Sequence, residues 1–88
     1  ALKFVKRGSE ELAEGRVAPA RLLFERAAEM GLSQAAMALA ATYDALELNQ
    51  PHLRNVLPDP AEAKRWYERA QALGAAEADA RLQRLGAR

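Results

Sequence analysis

Ala20-Arg21-Leu22-Leu23-Phe24-Glu25-Arg26-Ala27-Ala28-Glu29-Met30-Gly31 returns 43 residues later as Ala63-Lys64-Arg65-Trp66-Tyr67-Glu68-Arg69-Ala70-Gln71-Ala72-Leu73-Gly74. The leading alanine, Glu-Arg-Ala and the closing glycine are identical in register; aromatic faces aromatic and base faces base. The register holds past the glycine, where Ala35 and Leu39 match Ala78 and Leu82. Self-similarity at a period of roughly 20–50 residues is the signature of stacked helical repeats. Such arrays mostly bind other macromolecules on extended surfaces.

Composition agrees with close-packed helices. Of the 88 residues, half are apolar, but 21 are alanine and five are aromatic. Alanine is the best helix former and lets helix backbones approach closely. A chain of this length supports one domain with a modest core. Thirteen basic and 12 acidic side chains leave a net charge of +1, which argues against a polybasic nucleic-acid or membrane surface. The Arg-rich end (Arg81, Arg84, Arg88) reads as a solvated helix terminus. With no cysteine, disulfides, thiolate chemistry and Cys-based metal sites are excluded. No apolar run approaches the roughly 18–20 residues that span a bilayer. The opening Ala1-Leu2-Lys3-Phe4 has neither an initiator Met nor a signal-peptide pattern, so the chain reads as a piece of a longer protein, with cytoplasm and periplasm both open.

Outward from the block, the punctuation predicts five helices and no strand. Leu2, Phe4, Val5, Gly8 and Leu12 mark a first helix over 2–14, with Lys6–Glu10 and Arg7–Glu11 four apart on its surface. Gly15 stops it, Pro19 opens the second and Gly31 ends that. Ser33 is the expected N-cap of a third helix, with Ala35, Ala36, Leu39, Ala40 and Tyr43 inward. Residues 44–58, with Asn49-Gln50-Pro51 and Leu57-Pro58, are irregular. Asp59-Pro60-Ala61-Glu62 combines an acceptor, a proline and a glutamate that can reach back, a strong helix start. The fourth helix runs from about Pro60 to Leu73 and ends at Gly74; a fifth, from about 76 to 85, presents Ala78, Leu82 and Leu85.

These spacings resemble the tetratricopeptide-repeat superfamily: Phe4, Gly8, Gly15, Ala20, Phe24 and Ala27 stand where that motif places bulky, small and turn residues. The second unit resembles its Sel-one-like repeat branch, through Leu39-Ala40-x-x-Tyr43, a longer loop, then Asp59, Ala63, Trp66-Tyr67, Ala70 and Gly74. Gly8 to Ala20 spans 12 residues and the equivalent Ala40 to Ala63 spans 23, an insertion of eleven. Two departures stand out: Ala40 where that branch usually has glycine, and Glu11 where the second unit has Tyr43. The resemblance implies an all-α, right-handed superhelix of αα-hairpins in a single domain. Repeat 1 covers about 1–32, and repeat 2 about 33–75 with the long loop 44–58. A half repeat or capping helix takes 76–88. It also implies scaffold or adaptor work, as in bacterial and eukaryotic signalling, assembly and surface-polysaccharide control.

Candidate functional residues are weighed against duller roles. His52, the single histidine, lacks any partner constellation for catalysis or metal binding and reads as an exposed loop residue. No enzyme, cofactor or metal is expected. Adjacent Trp66 and Tyr67 point about 100° apart: one fills the core while the other packs on the neighbouring repeat or loop, and a ligand platform is the lesser reading. The insertion, with Leu46, Leu48, Leu53, Val56 and Leu57, either tucks onto the helices or recognises a partner. The resemblance places a concave groove along the first helix of each pair: Val5, Ser9 and Leu12, then Met37, Ala41 and Asp44, then Ala80 and Arg84. The expectation is a protein–protein interaction module taking a partner peptide or helix there, with Val5, Leu12 and Met37 as ordinary core residues the competing view. Self-association through the terminal helices, or a regulatory spacer in a larger protein, are the alternatives.

Overall fold

The computed structural model describes residues 1–87; of the Arg-rich end, Arg88 lies outside them. Among the described residues there are five α-helices and no strand: α1 (Leu2–Ala13), α2 (Val17–Glu29), α3 (Ser33–Ala41), α4 (Pro60–Ala72) and α5 (Ala78–Gly86), with a single 3-10 turn at Pro51–Leu53. The two copies of the block form α2 and α4. Each helix packs chiefly on the next in the chain, α1 on α2, α2 on α3, α3 on α4 and α4 on α5. The molecule measures 29 × 29 × 16 Å. Its short dimension is that of two helix layers, since axes about 8–10 Å apart plus two Cα radii of about 2.3 Å give roughly 13–15 Å.

Three helices stop the same way. Gly15, Gly31 and Gly74 have φ of 79°, 90° and 99°, a region that costs other residues a Cβ clash. Beyond each, a backbone N–H reaches back across the last turn: Arg16 to the Glu11 carbonyl (2.9 Å), Leu32 to Ala27 (3.2 Å) and Ala75 to Ala70 (2.9 Å). This Schellman geometry satisfies carbonyls that the helix end leaves bare.

The starts differ from expectation in instructive ways. Helix α2 begins at Val17, two residues before Pro19, because a missing N–H is harmless anywhere in the first turn. Leu32, not Ser33, is the N-cap residue of α3, and α5 begins at Ala78 after a turn at residues 76–77. Asp59 does cap α4, accepting from the Glu62 N–H at 3.2 Å, with Pro60 next. Glu62 does not reach back. Its carboxylate accepts instead from Trp66 Nε1 (3.1 Å), and the Asp59 N–H donates to the Tyr43 carbonyl (2.8 Å). On α1, Glu11 pairs with Arg16 rather than Arg7.

The core is built from alanines set against a few rings. A Cβ on Gly8 meets Phe24 at 2.6 Å, so only glycine lets α1 lie this close to the ring. Phe24 and Tyr67, counterparts in the two copies, are both fully buried. Half-buried Trp66 packs on all three core clusters and so wedges between the helix pairs, while Tyr67 fills the core.

The insertion is closed and packed. The Asp59–Tyr43 hydrogen bond joins its ends, as in an Ω-loop. Leu48 and Leu53 are buried, whereas Leu46 and Leu57 are 50% and 83% exposed. The His52 carbonyl lies where a Cβ on Gly15 meets it at 3.0 Å, so the loop folds back over the α1–α2 turn. No described helix is long and apolar enough to cross a membrane.

Candidate functional site

The eight groove residues fall into two groups. Val5, Leu12 and Met37 are half-buried: Val5 and Met37 pack on the cluster around Ala27, Ala28, Ala35 and Ala36, and Leu12 on that of Ala20, Phe24 and Leu39. Ala41 is half-buried, and Ser9 and Ala80 are exposed. All six leave some or all of their surface open. Arg84 is half-buried as well but is tied to Asp44, which is placed otherwise.

Asp44 is fully buried, so it presents no carboxylate to a ligand. Its Oδ2 accepts from Tyr67 Oη (2.7 Å) and from Arg84 Nη2 (3.0 Å), and its Oδ1 from the Leu46 N–H (3.1 Å). Arg84 Nη2 also donates to Glu47 Oε2 at 3.0 Å. Arg81 Nη1 donates to Tyr67 Oη (3.1 Å) and stands 3.6 Å from Glu47. Arg81 and Arg84, expected as part of a solvated terminus, are therefore folded inward, across the base of the insertion. Charge-assisted bonds of this kind are the strong ones, and a buried carboxylate without them is costly.

The electrostatics follow from this placement. Burial, reinforced by the hydrogen bond to Asp44 and opposed by Arg81, pushes the Tyr67 hydroxyl up to about 12. Glu47 first, and then Asp44, hold the Arg84 guanidinium above its ordinary value. The network is a chemically quiet latch, with its tyrosine kept neutral and its arginine kept charged.

A second polar junction ties the helix pairs together. Arg21, from α2, donates through Nε to Thr42 Oγ1 (3.0 Å) and through Nη2 to the Thr42 carbonyl (2.6 Å). Its guanidinium carbon lies 3.9 Å from the centre of the Tyr43 ring. A cation there meets the bare carbonyls at the C-terminus of α3 and a ring face at once. Thr42 is buried and donates in turn to the Leu39 carbonyl (2.6 Å).

Neither junction was apparent from residue spacing, since Asp44 and Arg84 lie 40 positions apart. The usable signal was polarity at a core register: aligning Gly8 with Ala40 sets Asp44 opposite Leu12, in the copy whose ring is Tyr67 rather than Phe24. His52 is exposed, in the 3-10 turn. Comparison with models of known families, with curated proteins and with solved structures finds no match to the chain.

Proposed function

We propose that this chain is a protein–protein interaction module, a right-handed αα-hairpin superhelix of the Sel-one-like repeat kind, which holds a partner peptide or helix along the first helix of each pair. One observation carries the reading. The second helices bury Phe24 and Tyr67 completely and leave Trp66 half-buried between the helix pairs, while the first helices keep Val5, Leu12 and Met37 half-exposed. Together with Ser9, Ala41 and Ala80 these side chains supply a narrow, largely apolar strip. Asp44, buried and bonded to Arg84, has no part in contacting the partner. Helix-in-groove and extended-peptide recognition both suit such a surface.

The test is affinity capture with the intact chain and a double variant, Leu12→Glu with Met37→Glu. The expected result is loss of every specifically retained protein while the far-UV CD spectrum stays helical. Because both residues also touch core clusters, Ser9→Arg with Ala80→Arg provides a fold-neutral block at exposed positions. Undiminished capture by this second variant sinks the assignment of the strip.

A further inference from the structure

We propose that the cleft between α4 and α5 is a separate docking site, shaped to receive an aromatic side chain presented by a protein partner. It shares helix α5 with the strip along the first helices but rests on different residues. The cleft has a volume of about 440 Å³; Leu82, Leu85 and Gly86 of α5 and Pro60, Ala61, Lys64 and Glu68 of α4 line it, Glu68 standing 43 residues after Glu25 as Lys64 does after Arg21. Its register identifies its occupant. Lys64 stands 43 residues after Arg21, Leu82 after Leu39, and Gly86 after Tyr43, the interval of the repeated block. At the earlier junction the Arg21 guanidinium covers the Tyr43 ring at 3.9 Å, and that ring packs on the cluster containing Leu39.

At the later junction the ring is missing. Glycine occupies its register, and a Cβ on Gly86 meets nothing within 4 Å. Leu85 replaces Thr42, which removes the hydroxyl that engages Arg21 and makes the floor more apolar. Lys64 forms no ion pair among the described residues. The cleft thus keeps the cation and the leucine floor of the Tyr43 site and lacks the ring between them. A ring face against an ammonium is favourable, and aromatic anchors seated in apolar pockets dominate interface energetics. A smaller cleft of about 190 Å³ shares Pro60 and Leu85 with it and reaches Tyr43 and Pro58. It offers an apolar path for the residue beside the partner's ring.

N-acetyl-tyrosinamide and N-acetyl-leucinamide, titrated into the full chain and followed by two-dimensional NMR, test this directly. The tyrosine probe is expected to shift the Leu82 and Leu85 methyls and the Gly86 amide at millimolar concentration, with the leucine probe at least severalfold weaker. Lys64→Met should weaken the tyrosine probe by about two- to fivefold. Gly86→Tyr, which returns a ring to the register of Tyr43, should abolish binding. Ala61→Phe, at an exposed wall position, blocks the cleft without relying on the α5 terminus and should do the same. Equal response to both probes, shifts confined elsewhere, or full binding by both blocking variants overturns the proposal. The Ser9→Arg, Ala80→Arg variant, whose exposed positions neither line the cleft nor join the cluster on which Leu82 and Leu85 pack, leaves the tyrosine probe unaffected, so failure of the strip and failure of the cleft are told apart.

Discussion

Tyr67 and Asp44 act as a matched pair. Where the first helix pair sets Phe24 near Leu12, the second has gained a hydroxyl on one side and a carboxylate on the other, 2.7 Å apart. Each makes sense only with its partner, because a buried polar group without a hydrogen bond is expensive. Tyr67→Phe should therefore cost about 1–2 kcal/mol and Asp44→Leu up to about 3 kcal/mol. The double variant, which copies the first pair's chemistry, should cost clearly less than their sum, because apolar replacement of a whole buried polar set is often neutral. Urea titrations of the three variants measure the coupling; strict additivity contradicts it. The pair also predicts a pH response. The Tyr67 hydroxyl moves from 10.0 up to about 12 on folding, so the native state holds the proton more tightly. That stabilisation is complete below pH 10 and drains away as pH climbs towards 12. Wild type should lose thermal stability over this window more steeply than Tyr67→Phe, whose other ionisable groups are the same.

Helix boundaries divide into those that local chemistry dictates and those that packing sets. Gly15, Gly31, Gly74 and Asp59-Pro60 were readable because each meets a backbone demand within a few residues, a positive φ or an uncapped N–H. Pro19, Ser33 and the start of α5 were misplaced by one or two residues, where several neighbours tolerate the same role. The inward face of α3 was legible from its spacing, where Ala35, Ala36, Leu39 and Ala40 are all buried. Asp44 was not, since a carboxylate at the end of a helix reads as a surface residue until Tyr67 and Arg84 are seen around it. The readable features carry a prediction. Gly31→Ala and Gly74→Ala should each cost about 1–2 kcal/mol, from the left-handed φ alone, as nothing within 4 Å opposes a Cβ at either. Gly86→Ala, at the last helical position of α5 and equally unhindered, should instead gain a few tenths of a kcal/mol, up to about 0.5 kcal/mol. Thermal melts of the three variants check the contrast in sign.

Across the whole molecule, contacts run from each helix to its neighbour, so stability should grade from the middle to the ends as in a one-dimensional array. Helix α5 is an end helix by this measure, burying Ala78 while Leu82 and Leu85 remain half-exposed. Its attachment is supplemented over a long sequence distance, since Arg84 reaches Asp44 and Glu47 while Arg81 reaches Tyr67. The same residues fix the base of the insertion, where Asp44 accepts from the Leu46 N–H. Helix α5 and the loop are thus held by one set of charges, and loosening either should loosen the other. Arg81→Met with Arg84→Met keeps most of the aliphatic stems and removes the charges. Native-state hydrogen exchange should then quicken by at least about tenfold in α5, since three hydrogen bonds are lost and the net contribution of one charge-assisted bond already amounts to that. Amides at 46–48 should quicken in parallel, while those of α2, which has no part in the latch, stay unchanged. Faster exchange in α5 with an undisturbed insertion would show that the two are independent and that the latch serves the helix alone.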